Sequence, residues 1–254
     1  MSNRLLKDYL IVLFKGLAMG AADVVPGVSG GTIAFISGIY SELLDSINKI
    51  NLNLINEFKK GGLKKVWITI NGNFLLSLVI GIFISIVSLA KILSWLLINQ
   101  PVLLWSFFFG LVVASIIFIF KQISNWNLFT YISLIFGILA AYFITEMSSS
   151  VVAQPSAIYL FLSGALAICA MILPGISGSF VLVLLGVYGY ILSAIHQMDL
   201  KVLFFVASGA IIGLLSFSRI LKYFLEKFNK LTLAILSGFI IGSLNKIWPW
   251  KKVL

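Results

Sequence analysis

The chain has 254 residues, of which 61% are hydrophobic and only 10% charged. An ordinary soluble domain carries about 25% charged residues. A water-facing globule is therefore excluded, and no stretch is polar and long enough for an attached ATPase, kinase or DNA-binding unit. The 18 Lys and Arg against 8 Asp and Glu read as cytoplasm-facing loop charge and anionic-lipid contacts, so no nucleic-acid partner is expected.

A membrane-crossing helix needs about 20 apolar residues, and several runs meet that length. The sequence predicts an all-α polytopic membrane protein, one transmembrane domain over residues 1–254. The charged start lacks a small-residue cleavage site and is expected to be retained. The first apolar stretch, about 9–44, is too long for one crossing and is broken at Pro26-Gly27. Residues 52–71 mix apolar residues with Lys59, Lys60, Lys64 and Lys65, which predicts an interfacial segment broken at Gly61-Gly62. Spans follow at about 74–98, 102–120 and 128–144, and then a polar stretch at 146–156. A second interrupted stretch, about 158–195, breaks at Pro174-Gly175, and the last spans are about 202–223 and 231–248. Trp95, Trp126, Trp248 and Trp250 fall near span ends, as an aromatic belt would place them.

The two halves repeat. Pro26-Gly-Val-Ser-Gly-Gly31 matches Pro174-Gly-Ile-Ser-Gly-Ser179, and the same offset pairs Gly16 with Gly164, Gly38 with Gly186 and Tyr40 with Tyr188. With a shorter loop in the second half, Gly81 pairs with Gly209 and Lys91 with Arg219. Repeat 1 covers about 9–121, a linking helix about 127–145, and repeat 2 about 157–248. Basic residues flank the first interrupted stretch on both sides: Arg4, Lys7 and Lys15 before it, Lys49 and the 59–65 lysines after it. It should enter and leave on the cytoplasmic side as a re-entrant hairpin. Three crossings then put 146–156 outside, and the second hairpin starts and ends there. The repeats are thus inverted, an arrangement found in transporters. Lys246, Lys251 and Lys252 fall outside on this topology, against the charge rule.

The chemistry concentrates in the two motifs. Pro26 and Pro174 end a half-helix, while Gly27 and Gly175 permit a tight return. Ser29 and Ser177 are suited to cap the next half-helix. Each motif is expected to hold a helix N-terminus inside the membrane, a place where an anion such as phosphate binds. The candidate phosphate ligands are Ser29, Gly30, Gly31, Thr32, Ser177, Gly178 and Ser179, with Lys91 and Arg219 reaching in from equivalent positions. Asp23 stands three residues before Pro26, where repeat 2 has Met171, and Glu42 lies at the far end of the first arm. Intramembrane carboxylates are functional candidates, so Asp23 and Glu42 are expected to couple protons. Cys169 reads as an inert membrane residue, and His196 as solvated in a short loop. A lone His and a lone Cys make no metal site. The chain has no Walker loop, no dinucleotide fingerprint and no Ser-His-Asp order, and no cofactor is expected.

The stretch Gly16-Leu-Ala-Met-Gly-Ala-Ala-Asp-Val-Val-Pro-Gly-Val-Ser-Gly-Gly-Thr32, continuing to Gly38-Ile-Tyr40, resembles the polyprenyl phosphate transporter family, PopT. Leu173-Pro-Gly-Ile-Ser-Gly-Ser179 with Gly186-Val-Tyr188 is similar to that family's second-half signature. The resemblance covers essentially the whole chain. It implies a carrier in the bacterial inner membrane that returns undecaprenyl phosphate from the outer to the cytoplasmic leaflet, recycling it for peptidoglycan and other envelope polymers. Its partners would be the polyprenyl phosphate lipid, the bilayer and a coupling proton. Two alternatives stand beside it: an undecaprenyl pyrophosphate phosphatase-like enzyme and a small-anion transporter. The phosphatase loop has an arginine where this chain has Gly30 and Gly178, and its paired glutamates are missing here. A transporter and not an enzyme is therefore expected.

Overall fold

The computed structural model describes residues 5–25, 28–147 and 151–250, with the side chains at 90, 91, 94 and 97 outside that description. Pro26 and Gly27, the predicted first break, also lie outside the described residues. Among the described residues all regular structure is helical. The chain runs α1 (Leu6–Val24), α2 (Gly30–Ile36), α3 (Tyr40–Asn48), α4 (Asn53–Thr69), α5 (Gly72–Asn99) and α6 (Pro101–Phe120). It continues with α7 (Leu128–Glu146), α8 (Ala157–Ile172), α9 (Gly178–Leu184), α10 (Tyr188–His196), α11 (Leu200–Lys227) and α12 (Asn229–Gly242), then a 3-10 turn, Leu244–Ile247.

Local chemistry sets these boundaries. Pro101 opens α6, where its missing N–H costs nothing. Asn127 caps α7 through the Thr130 N–H, Ser156 caps α8 through Tyr159, and Asp199 caps α11 through Lys201 and Val202. Helix α4 buries no residue and is broken at Gly61-Gly62, where Gly62 takes φ 62°. The break falls where the sequence places it. Five helices are long and apolar enough to cross a membrane, or six if the bent pair α9–α10 counts as one span. The large side chains Phe83, Phe107, Phe136, Phe143 and Phe204 are exposed on their outer faces. In water such a surface would aggregate; in a bilayer it meets lipid.

Element lengths recur along the chain: α2 and α9 have 7 residues each, α3 and α10 have 9 each, and α5 and α11 have 28 each. Helix α1 packs along α5, α8 along α11, and α12 along α7. Glycines let these backbones meet. A Cβ on Gly81 would overlap the Leu13 carbonyl and crowd Gly16, and one on Gly209 would overlap the Phe161 carbonyl. Each interrupted stretch has two breaks, although the sequence announces only the proline one. The second falls at Gly38 (φ 74°) and Gly186 (φ 70°), left-handed positions that glycine takes without strain. At the latter the chain bends by 111° between α9 and α10. The largest core cluster surrounds α2, all of whose residues from Gly30 to Phe35 are buried, and draws in α6 and α12 through Phe108, Val112, Leu236 and Ile240.

This packing separates two glycine classes. Gly81→Val or Gly209→Val forces backbones apart and should destabilise the protein by about 1–3 kcal/mol. Gly110, with nothing near its Cβ position, should accept Ala with stability unchanged or raised by up to about 1 kcal/mol. Unfolding in detergent, followed by circular dichroism, checks the ordering.

Candidate functional site

Helix α2 folds back along α1, and both its ends are met by α1 side chains. At its N-terminus the Gly30 N–H donates to Asp23 Oδ1 at 2.7 Å. At its C-terminus Lys15 Nζ donates to the Ser37 carbonyl at 2.6 Å. A carboxylate at the start and an ammonium at the end both oppose the helix dipole. The next N–H groups are used as well. Gly31 donates to Ser29 Oγ at 3.1 Å and Thr32 to the Ser29 carbonyl at 3.0 Å. The sequence leads one to expect this N-terminus open for an external anion. Instead the chain's own carboxylate and hydroxyl fill it, because buried N–H groups must be bonded.

The second hairpin is built on the same plan with different chemistry. Helix α9 returns along α8, and the Tyr159 hydroxyl donates to the Leu185 carbonyl at 2.8 Å, where Lys15 serves in the first hairpin. Met171 stands where Asp23 stands in the first. Ser177 makes no cap bond; its hydroxyl pairs with Ser179 Oγ at 2.7 Å. Among the described residues no acceptor meets the N–H groups of Gly178 and Ser179.

The two motifs touch. Ser29 Oγ points its proton at the Met171 and Leu173 carbonyls, 3.4 Å from each. Gly175 N–H donates to Thr32 Oγ1 at 2.9 Å, and the Tyr40 hydroxyl donates to the Ile172 carbonyl at 3.0 Å. The last carbonyls of α8 and the returning loop are therefore satisfied by the α2–α3 arm. The reverse arrangement is not made: Tyr40 is 5% exposed and its mate Tyr188 is 42% exposed.

A cavity of about 300 Å³ opens beside this contact, between α8, α9 and α11. Asp23 from the first motif and Ser177, Gly178 and Ser179 from the second form its polar floor. Ala167, Ile168, Met171, Leu182, Val206 and Ala210 form apolar walls. The floor offers hydroxyls and unbonded N–H groups to an anion, and one carboxylate to a proton. The walls suit a hydrocarbon chain.

Other predicted residues lie elsewhere. Ser29, Gly30, Gly31 and Thr32 are buried in the contact between hairpins and do not line the cavity. Arg219 is not brought to the motifs; its Nη2 donates to the Ile50 carbonyl at 3.3 Å, beyond the end of α3. Lys91 lies within α5, and its side chain is outside the described residues. Glu42 Oε1 accepts from Asn71 Nδ2 at 2.8 Å, tying α3 to the start of α5 and not facing the cavity. Pro174 and Gly175 do form the second break, with Gly175 at φ 90° and pressed against the Ile240 backbone. Two residues that sequence reasoning passed over act here: Lys15, read only as a loop charge, and Tyr159.

The chain matches the family described as VCA0040-like, undecaprenyl phosphate translocase-like, over residues 19–254. A Vibrio cholerae protein named polyprenyl-phosphate transporter is 51% identical over 247 residues, covering 97% of this chain and 80% of that protein. A Staphylococcus aureus protein of the same name is 35% identical over 257 residues, covering 94% of this chain and 86% of its own length. No solved structure matches the chain.

The asymmetry of the two motifs has a measurable consequence. Thr32→Val strips the buried Gly175 N–H of its acceptor and should cost about 1–3 kcal/mol. Ser177→Ala breaks one hydroxyl pair at the cavity floor and should cost less than about 1 kcal/mol. Equal costs in denaturant titrations would contradict the division into a closed and an open motif.

Proposed function

We propose a function on one premise: the chain belongs to the undecaprenyl phosphate translocase-like family. The protein transports polyprenyl phosphate across the membrane. Undecaprenyl phosphate is its substrate in the bacterial inner membrane, carried from the outer to the cytoplasmic leaflet. The supporting observation is the cavity that joins a polar floor, Asp23 with Ser177, Gly178 and Ser179, to apolar walls beside α8 and α11. A phosphomonoester fits the floor and an isoprenoid chain fits the walls. Both 51%- and 35%-identical relatives carry the name of polyprenyl-phosphate transporter.

In this reading residues 1–254 form one domain of two inverted repeats. Support comes from the recurring element lengths and from the basic flanks around the first hairpin. The second motif holds the phosphate, while Ser29, Gly30, Gly31 and Thr32 of the first build the wall behind it. Lys91 remains a candidate cation from the repeat alignment alone. Phosphate release is not part of this function.

Asp23 is the proposed proton carrier. An anionic headgroup moving inward opposes an inside-negative potential at about 2.3 kcal/mol per charge per 100 mV. An ionised Asp23 beside the phosphate would also repel it. A proton carried with the headgroup relieves both. Glu42, held by Asn71 away from the cavity, is the weaker candidate for this role.

Proteoliposomes test the scheme. Wild-type protein should translocate polyprenyl phosphate and release no inorganic phosphate. Asp23→Asn keeps an acceptor for Gly30 but cannot titrate, so it should bind lipid phosphate and lose its response to an imposed pH gradient. Unchanged gradient-driven transport would remove Asp23 from the proton path. Ser177→Ala with Ser179→Ala should weaken headgroup binding by about tenfold or more, the value of losing hydrogen bonds to a charged group.

A further inference from the structure

On the far side of the contact between α2 and α8 lies a larger cavity of about 430 Å³. Ser41, Asp45, Gln122, Lys222, Glu226 and Asn229 supply its polar lining. Tyr40 connects it to the contact between the motifs. It lines this one, and its hydroxyl bonds the Ile172 carbonyl, next to Met171 in the wall of the other. Lys227 and Lys230 stand next in the chain to its lining residues Glu226 and Asn229, and Lys49 follows Asp45 at the end of α3.

Beside this cavity α3 packs against α11, with Lys222 in the cavity lining and Arg219 exposed next to it. Lys222 Nζ pairs with Asp45, with Glu226 Oε1 3.6 Å away. Arg219 Nη2 donates to the Ile50 carbonyl, and Asn48 Nδ2 donates to the Ser218 carbonyl at 3.1 Å. Arg219 and Lys222 are three residues apart and so share a helix face. A planar guanidinium fork beside a mobile ammonium matches the oxygens of a phosphomonoester dianion. In this structure those donors hold a carboxylate and a peptide carbonyl, oxygen acceptors as a phosphate is.

We propose that Arg219 and Lys222 form a second phosphomonoester site, on the cytoplasmic side, whose donors α3 and the turn after it occupy until the substrate arrives. The proposal rests on the polyprenyl phosphate reading above. The Lys222–Asp45 pair is half exposed, with side-chain accessibilities of 33% and 48%, and such pairs are weak bonds. A doubly charged phosphate can replace Asp45 on the ammonium. When α3 leaves, Asp45 goes with it and Arg219 loses the Ile50 carbonyl. The face left behind then carries two cations against Glu226 and favours an anion. Headgroup arrival and opening toward the cytoplasm become one event, because the same two donors serve both partners in turn.

Two measurements on the whole chain in nanodiscs test this, with farnesyl phosphate as probe and farnesol as control. In Asp45→Asn protein Lys222 keeps only its looser pair with Glu226, and its acylation by a lysine reagent, read by mass spectrometry, should fall when farnesyl phosphate is added and not with farnesol. Equal protection by the two, or none by either, overturns the site. The second measurement exchanges the pair, Asp45→Lys with Lys222→Asp. The exchange restores the ion pair but moves the cation off α11. Thermal stability should return toward wild type, while transport stays down by about tenfold or more, the value of one charge-assisted hydrogen bond. Recovery of transport along with stability overturns the proposal and leaves a structural ion pair. Wild-type protein that protects Lys222 through farnesyl phosphate but moves no lipid would uphold the site and refute the transport reading instead.

Discussion

A helix that ends inside a membrane must have its terminal N–H and C=O groups bonded, because hydrocarbon offers them nothing. On the re-entrant reading, two seven-residue helices, α2 and α9, pose this problem at both ends. The first hairpin solves it with charge. Asp23 and Lys15 are eight positions apart on α1, roughly 12 Å at about 1.5 Å per residue, close to the roughly 10 Å length of α2. One straight helix can therefore present a carboxylate to the start and an ammonium to the end of its antiparallel neighbour. The second hairpin uses the neutral Tyr159 hydroxyl at the C-terminal end and leaves its start facing a cavity. The closed start of one motif and the open start of the other follow from Asp23 and Met171, which α1 and α8 carry at matching positions.

The same close approach recurs through the molecule. The α1–α5 and α8–α11 pairs meet at glycine backbones and admit no added carbon. The hairpins meet each other through side-chain bonds from Ser29, Thr32 and Tyr40 to the end of α8 and the returning loop. They meet also at Gly31, where an added Cβ would overlap the Met171 and Ile172 carbonyls. Such closely packed contacts resist deformation.

Much of this was legible in the sequence, for identifiable reasons. The spans declare themselves because about 20 apolar residues have few other uses. Gly16 with Gly164, and Gly81 with Gly209, were paired by repetition, and each sits where two helix backbones touch. The second break in each hairpin was not legible, because a single glycine in an apolar run does not reveal a positive φ. Lys15 was hidden by its position among flanking charges, which explain themselves by topology and invite no further question. Arg219 shows the limit of repeat alignment. The alignment found its place along α11, but the direction of a long side chain depends on the neighbour within reach, and there the end of α3 offers a carbonyl. Asp23 was recognised as exceptional from its lack of a counterpart. Its bond to Gly30 depends on the antiparallel return of α2, which only the fold supplies.

On the proposed reading, the mismatch at Asp23 and Met171 bears on turnover. Suppose both repeats carried a carboxylate. Two negative groups would then face one cavity, and a phosphate between them would be repelled twice. Suppose neither did. Both helix starts would be open, and a phosphate bridging them would be held by two sets of N–H groups. A carrier gains nothing from such a grip, since a site must bind well enough to load and weakly enough to empty. One occupied start and one open start lie between these extremes. The open start supplies the attraction. Asp23, kept nearby by its bond to Gly30, supplies a repulsion that depends on its proton. On the proposed reading, the strength of the headgroup site is then set by protonation at a single residue, which is the property a proton-driven lipid carrier needs.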